Sequence, residues 1–233
     1  MPSVLLFDID GTLVLTGGAG ARAMSRAFEE LFGIPDAFAT IPFGGRTDAW
    51  LVGQALDAHG LTAQPGDLDH FSARYVAHLG REIDRPGTRK GVMPGIHALL
   101  EHLAPRPDVF LALLTGNYET GARMKLEYFD LWRFFRCGAF GDSAFDRNHL
   151  FPTAISHVRT CGGPVVPASQ VVVIGDTPLD VACAAAGGAR SIAVATGSHS
   201  VDDLKAAGAD VVFESLVDTS AVVGEIQRLT GEP

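Results

Sequence analysis

Cysteine, positive charge and long apolar runs are all scarce in this chain. Its 233 residues include three cysteines, none in a CxxC spacing, so we expect neither a disulfide framework nor a thiolate zinc site. Lysine and arginine total 18 against 27 acidic residues, a net charge of -9, which disfavours a basic surface for nucleic acid. These scarcities favour a protein of a reducing compartment whose partner is not a polyanion.

The apolar runs are too short for a membrane span. The longest, such as Val109–Leu114 and residues 171–174, fall far below the roughly 18 residues that a spanning helix needs. The chain also reaches Asp8 before the apolar core of a signal peptide could form. We therefore expect a cytoplasmic protein with no membrane partner, and the sequence does not indicate its oligomeric state.

What the chain does contain is an alternation of short apolar runs with helical patterns. Residues 4–7, 109–114, 171–174 and 191–195 lack the alternation of a half-exposed strand, so they predict parallel strands buried on both faces. Weaker strand patterns cover 135–140 and 210–213. Helical patterns lie between the strands, at 95–103, 118–128, 150–159, 179–186 and 201–207. The fold predicted is α/β, a Rossmann-like doubly wound parallel sheet.

One segment departs from this alternation. Residues 17–85 show helical patterns over 21–32, 49–59 and 68–83 without a buried strand, and glycine-rich stretches flank them on both sides. The pattern predicts a helical cap domain at 17–85, inserted into a catalytic core made of residues 1–16 and 86–233, with two hinge-like connections.

Acidic residues follow two of the predicted strands. Asp8 and Asp10 come where the first strand ends, and Asp176 and Asp180 follow the strand at 171–174. Ligands bind at the carboxyl edge of such sheets, and an attacking carboxylate with further acids is what hydrolysis through an aspartyl-phosphate requires. Two other interpretations stay open: a solvated turn at Asp8, and helix capping by Asp176 with Asp180 as a surface acid.

A third strand is followed by Thr115, Gly116 and Asn117. The threonine hydroxyl and the backbone N–H groups of the next two residues can hold the nonbridging oxygens of a phosphate. An ordinary turn explains the same three residues when they are taken alone.

The run Asp8-Ile9-Asp10-Gly11-Thr12 resembles the first motif of the haloacid dehalogenase superfamily of phosphatases, and the likeness covers essentially the whole chain. It implies that Asp8 attacks phosphorus and that Asp10 protonates the leaving alkoxide and later activates water. The namesake dehalogenases lack the second aspartate, so Asp10 favours phosphate chemistry over cleavage of a carbon–halogen bond.

The resemblance also implies a Mg²⁺ site. The carboxylates of Asp8 and Asp176 and the backbone carbonyl of Asp10 would be its protein ligands, with Asp180 mainly orienting a water or another ligand. Two carboxylates plus a substrate phosphate suit the near-octahedral oxygen preference of magnesium.

The chain departs from the family pattern at the third motif, which is usually a lysine. Lysine occurs only at 90, 125 and 205. We prefer Arg147 for this role because arginine is permanently charged and grips phosphate in a bidentate manner. Lys125 is the alternative, and a surface ion pair between Arg147 and Asp146 also stays open.

In the predicted cap, the loop at 43–48 resembles the substrate-facing loop of phosphoglycolate-type phosphatases. Arg46 is expected to meet a carboxylate or phosphate of the substrate when the cap closes. Alternatively, Thr47 or Asp48 caps the next helix and Arg46 is solvated.

Four other functions are compared with the sequence pattern by the features that each requires. Residues 18–23 match a dinucleotide-binding pattern, but they do not directly follow a strand as that pattern requires. A phosphonate hydrolase needs a cap lysine, and residues 17–85 contain none. A sugar phosphomutase and a non-catalytic binding protein of the same fold stay open. The sequence predicts a Mg²⁺-dependent phosphatase acting on a small, phosphoglycolate-like phosphomonoester of unknown identity.

Overall fold

The computed structural model describes residues 2–62, 64–142 and 144–231, and its centre is a parallel sheet. Six strands pair in the order β5-β4-β1-β6-β7-β8, all of them parallel. Their bounds are β1 Ser3–Phe7, β4 Val109–Leu114, β5 Gly138–Ala139, β6 Val171–Gly175, β7 Arg190–Val194 and β8 Val211–Phe213. The predicted parallel sheet is confirmed, with β1 at its centre.

Helices cover both faces of this sheet. Alternate residues of β1 enter different apolar clusters, Leu5 and Phe7 on one face and Val4 and Leu6 on the other, as a doubly covered sheet requires. The helices of this part are α4 Ile96–Leu103, α5 Glu119–Tyr128, α6 Leu150–Thr160, α7 Pro178–Ala186, α8 Val201–Ala206 and α9 Thr219–Thr230. The α/β, doubly wound prediction is therefore confirmed.

The margins of the sheet differ from the sequence patterns. The run 135–140 predicted a longer strand, whereas the strand covers only Gly138–Ala139, although Arg136 and Cys137 also form backbone hydrogen bonds with β4. Two short strands, β2 Val14–Leu15 and β3 Gly91–Val92, form an antiparallel pair that no pattern revealed. Two residues are too few to show a period, and this pairing joins segments that are far apart in sequence.

The remaining helices, α1 Ala19–Phe32, α2 Asp48–Ala58 and α3 Asp67–Glu82, share an apolar cluster of their own. Phe28, Phe38 and Phe71 pack ring against ring at its centre. The backbones of Gly17 and Gly87 approach each other closely: a Cβ on Gly87 would lie 2.4 Å from the Gly17 carbonyl oxygen, and Gly17 itself has φ +63°. We propose that the chain enters and leaves a cap, residues 17–85, through this contact.

Among the described residues, no helix is both long and apolar enough to cross a membrane.

Candidate active site

The first strand delivers Asp8 to the carboxyl edge of the sheet. Its backbone N–H donates to the Ile174 carbonyl oxygen at 2.9 Å, which ties the end of β1 to the end of β6, and its side chain is buried. The chain then turns at Gly11, where φ is +87° and a Cβ would lie 2.4 Å from Asp176 Oδ2. Glycine is required there because the backbone passes directly beneath that carboxylate.

Three buried carboxylates meet at this edge. Asp8, Asp176 and Asp180 each offer an oxygen, and these oxygens lie within 4.8 Å of one another. The Thr12 hydroxyl donates to Asp176 Oδ1 at 3.2 Å and so fixes the orientation of that side chain. The structure thus brings together acids that are more than 160 residues apart.

The electrostatics of the cluster favour a bound cation. Burial raises the pKa of Asp8 to about 6, against the opposing effect of Arg147. Burial and then the neighbouring charge of Asp8 raise the pKa of Asp176 well above its usual range. Buried carboxylates that repel one another are stabilised by a divalent ion, and a hard oxygen set of this kind suits magnesium.

Arg147 opens a short 3₁₀ turn and is 5% exposed. Its Nη2 lies 3.0 Å from Asp8 Oδ1 and 2.5 Å from Asp180 Oδ1, and its Nη1 donates to the Gly45 carbonyl oxygen at 3.1 Å. The alternative of a surface pair with Asp146 is wrong, because Arg147 is buried and pairs with Asp8 and Asp180, while Asp146 is exposed and accepts from the Asn148 N–H. Arg147 therefore bridges two acids of the cluster and the loop that contains Gly45.

Asp180 also takes part in the N-terminal cap of α7. Thr177 is the N-cap of α7 and forms a reciprocal capping box with Asp180, whose Oδ2 accepts from the Thr177 hydroxyl at 2.7 Å. The alternative assignment, with Asp176 as the cap and Asp180 on the surface, is wrong. Arg147 and Thr177 thus occupy both oxygens of Asp180.

The motif after β4 lies beside Asp10. The Asn117 side-chain amide donates to Asp10 Oδ2 and to Thr115 Oγ1, each at 2.8 Å, and Thr115 is fully buried. The Gly116 carbonyl oxygen accepts from the Asp48 N–H at 2.7 Å. This loop therefore directly contacts the helical segment, which is the part of the chain that contains α1, α2 and α3. All three residues of the predicted phosphate-binding group lie at the sheet edge.

The sequence did not indicate that Lys125 contacts Asp10. Lys125 is 4% exposed, and its Nζ donates to Asp10 Oδ2 and to Asn117 Oδ1, each at 2.6 Å. Burial alone would lower the pKa of Lys125, but the adjacent Asp10 and further acidic groups raise it above its usual range. A signal existed: Lys125 belongs to the buried stripe of α5 with Ala122 and Leu126.

A cavity of about 210 Å³ lies between the carboxylates and the helical segment. Arg46 belongs to its lining, but its guanidinium lies 4.3 Å over the ring of Trp50. Thr47 caps α2 by accepting from the Trp50 N–H, as one of the alternatives for this loop stated. The other side chains of the wall are mainly apolar: Leu15, Ala21, Met24, Phe43, Leu51 and Tyr75.

Comparison with known proteins places this geometry in a family. Residues 148–219 match a family model described as HAD-hydrolase-like. A phosphoglycolate phosphatase of Rhodospirillum rubrum is 31% identical over 227 residues, which is 96% of this chain and 92% of the relative. The chain belongs to the haloacid dehalogenase-like hydrolases.

A second relative and a solved structure are also similar to this chain. A phosphoglycolate phosphatase of Cereibacter sphaeroides is 32% identical, with 82% of this chain and 83% of the relative covered. The crystal structure of a hydrolase from Pseudomonas syringae has a TM-score of 0.70 at 20% identity, covering 96% of this chain and 99% of the other. The chain is accordingly an enzyme, a phosphatase of the phosphoric monoester hydrolase class.

Proposed function

We propose that this phosphatase hydrolyses a small phosphomonoester, phosphoglycolate or a close analogue, through an aspartyl-phosphate on Asp8. One observation carries the proposal: the Asp8 carboxylate is buried beside Asp176 and Arg147, while Asp10 lines the same cavity and its side chain is 39% exposed. The proposed nucleophile Asp8 and the proposed proton donor Asp10 thus line the same cavity, and the charged side chains around it suit the binding of a phosphoryl group.

In the first step, an Asp8 carboxylate oxygen forms a bond to phosphorus as the ester P–O bond breaks. The electron pair of that bond goes to the ester oxygen, which takes a proton from Asp10 and leaves as the alcohol. In the second step, Asp10 accepts a proton from water as the water oxygen attacks phosphorus. The bond between phosphorus and the Asp8 oxygen breaks, which releases inorganic phosphate and restores the free Asp8 carboxylate.

Mg²⁺ is the proposed metal. The carboxylates of Asp8 and Asp176 and the carbonyl of Asp10 would hold it, and Asp180 would orient its neighbours. When bound, the ion supplies positive charge that offsets the repulsion between Asp8 and a phosphate dianion. The close approach of the buried oxygens of Asp8, Asp176 and Asp180 supports the assignment of a divalent cation to this site.

The phosphoryl oxygens would be held by Arg147, by the Thr115 hydroxyl and by the backbone of Gly116 and Asn117. These residues surround the same cavity as Asp8. Arg46 is the proposed contact to the distal end of the substrate. Its stacking on Trp50 shows that it would have to leave that ring to make the contact.

The substrate proposal rests on the relatives named phosphoglycolate phosphatase, and the cavity of about 210 Å³ beside Asp8 and Asp10 has room for a small phosphate ester. The test is phosphate release by the purified protein with Mg²⁺ from 2-phosphoglycolate, uncharged alkyl phosphates and sugar phosphates. We expect phosphoglycolate to rank among the best substrates. A clear preference for large sugar phosphates, with return of the phosphoryl group to sugar, would favour the phosphomutase instead.

The nucleophile is tested by Asp8→Asn, with the exposed Asp202→Asn on α8 as the matched control. Asp8→Asn should abolish turnover while leaving the fold intact by circular dichroism, and the control should keep wild-type rates. Turnover by Asp8→Asn on any substrate of the panel would remove Asp8 from the proposed role.

A further inference from the structure

In the proposed scheme, Arg147, which lies beside Asp8, supplies the cation of the family's third motif. The proposed reaction steps therefore give the buried Lys125 no role. Lys125 is buried on α5, yet its ammonium group reaches the site. A fully buried lysine is costly unless it is paired, so its retention in the core of the site needs a partner of matching charge. That partner is the side chain of Asp10.

The geometry around Asp10 is asymmetric. Among the described residues, the Lys125 ammonium and the Asn117 amide both donate to the same atom, Asp10 Oδ2, at 2.6 and 2.8 Å. Lys125 also donates to Asn117 Oδ1 at 2.6 Å, so the three side chains form a closed triangle. Two donors at Oδ2 restrict the movement of the Asp10 carboxyl group, and among the described residues Oδ1 is the oxygen left for the substrate.

Lys125 is also placed at the seam with the helical segment. A Cβ on Gly20 of α1 would lie 3.5 Å from Lys125 Nζ and 3.8 Å from the Tyr75 hydroxyl. The ammonium group is thus enclosed between α5 and the helical segment and shielded from water.

We propose that Lys125 is the positioning residue for the acid–base group Asp10, which it serves by holding Oδ2 so that Oδ1 faces the leaving oxygen. The inference rests on the proposed roles of Asp8 and Asp10. As the ester P–O bond breaks, Oδ1 gives its proton to the alkoxide oxygen, and the negative charge left on Asp10 is shared with Oδ2 against the ammonium group. Lys125 acts on proton transfer, whereas Arg147 acts on the phosphoryl group and Asp8.

The two roles respond differently to the leaving group. Ethyl phosphate and 2,2,2-trifluoroethyl phosphate are close in shape, but trifluoroethanol is much the better leaving group and needs less protonation. General acid catalysis contributes about 10²- to 10⁴-fold where protonation is needed. We expect Lys125→Met to lower kcat/KM for ethyl phosphate by about 100-fold and for trifluoroethyl phosphate by less than about tenfold.

Three further variants complete the experiment. Lys125→Arg should recover part of the ethyl phosphate activity because it keeps a cation on Oδ2, and Lys205→Met, on the exposed face of α8, should match the wild type. In an Asp10→Asn background, Lys125→Met should add little further loss, because a positioning residue acts through the group it positions. The double-mutant cycle uses only rate ratios and needs no correction for altered stability beyond confirming the folded fraction.

Equal losses on both esters, or a full additional loss in the Asp10→Asn background, would overturn the proposal and make Lys125 a phosphate-binding or purely structural cation. If Lys125→Met does not fold, Lys125→Arg and the Asn117→Ala variant, which removes the other donor to Oδ2, carry the same leaving-group comparison. Failure of the wild type on both esters and on the wider panel would instead count against the proposed function itself.

Discussion

Arg147 and Lys125 are buried to a similar extent, but they hold different carboxylates. Arg147 contacts Asp8 and Asp180, whereas Lys125 contacts Asp10 and reaches no other acid by hydrogen bond among the described residues. Arginine suits the first position because a planar fork can serve two acids and the Gly45 carbonyl together, and a single ammonium suits the second. Substitution of Arg147 and substitution of Lys125 should therefore have different effects on kcat/KM for esters with good and poor leaving groups.

Arg147→Met should lower kcat/KM by more than about 100-fold, and by the same factor for ethyl and trifluoroethyl phosphate, because the lost charge faces the phosphoryl group. It should also lower the free energy of unfolding by about 3 kcal/mol, since Asp8 and Asp180 stay buried without their cation. Urea unfolding and steady-state kinetics measure the two effects.

The exposed Arg123→Met is the control, because its i,i+4 pair with Glu127 lies on the surface and contributes less than about 1 kcal/mol. A stability loss for Arg147→Met no larger than that of the control would show that its ion pairs are not stabilising.

Asp48 gives a pH-dependent prediction at the junction of helices and sheet. Burial raises its pKa to about 7, although Lys125 and the Tyr118 N–H, which donates to Oδ2 at 2.8 Å, both lower it; Asp10 and Asp142 also face it and raise it. A carboxyl whose folded-state pKa is raised stabilises the fold at low pH, and that contribution is lost as pH rises from about 4 through about 7.

Asp48→Asn removes this titration while keeping an acceptor for the Tyr118 N–H. The free energy of unfolding of the variant should therefore rise relative to the wild type between pH 4.5 and pH 8, by a few kcal/mol. The exposed Asp57→Asn on the same helix should show a constant difference. A constant difference for Asp48→Asn as well would mean that its carboxyl titrates normally.

At the scale of the element, α7 combines a helix start with the active site. Thr177 caps the helix and holds Asp180, and Asp180 in turn holds Arg147. Helix α8 begins with the same capping box, formed by Ser200 and Asp203, and both of these residues are exposed. The α7 capping box holds a residue that contacts Arg147, whereas in the described structure the α8 capping box has no such contact.

Thr177→Ala and Ser200→Ala should each lower stability by about 1 kcal/mol. Only Thr177→Ala should lower kcat, by about tenfold, because loss of the hydroxyl loosens Asp180 and through it Arg147. Thermal unfolding and kinetics on the preferred substrate distinguish the two. A kcat for Thr177→Ala equal to that of Ser200→Ala would show that the cap does not support catalysis.

At the scale of the whole molecule, the acids of the site are a destabilising feature that a metal would offset. The acids Asp8, Asp176 and Asp180 come from two strand ends and one helix start, and folding brings their charges together. A ligand that binds only the folded state stabilises it by about 2.7 kcal/mol at a hundredfold excess over its Kd.

Mg²⁺ should therefore raise the Tm of the wild type, and Asp176→Asn should abolish that response. Without added metal, Asp176→Asn should be at least as stable as the wild type, because it removes one of the repelling charges. Differential scanning calorimetry with and without Mg²⁺ measures both, with Asp202→Asn as the control that keeps the response. An unchanged Mg²⁺ effect in Asp176→Asn would place the ion elsewhere.

The sequence by itself determined the sheet and the acids at its edge. Buried parallel strands are continuous apolar runs, and residues that follow such strands reach one edge, so Asp8, Asp10, Thr115 and Asp176 were readable from local pattern. Their catalytic roles stay predictions, as does the boundary of the cap at residues 17–85.

Only the tertiary structure decided which cation meets which acid. Arg147 follows Asp146 in sequence, yet it lies against Asp8 and Asp180, and Lys125 lies against Asp10, 115 residues away. Helical and strand periods place a side chain on a face but do not say which distant face it will meet. The choice is made when sheet, α5 and the helical segment pack together, because a buried cation is stable only where that packing supplies a carboxylate.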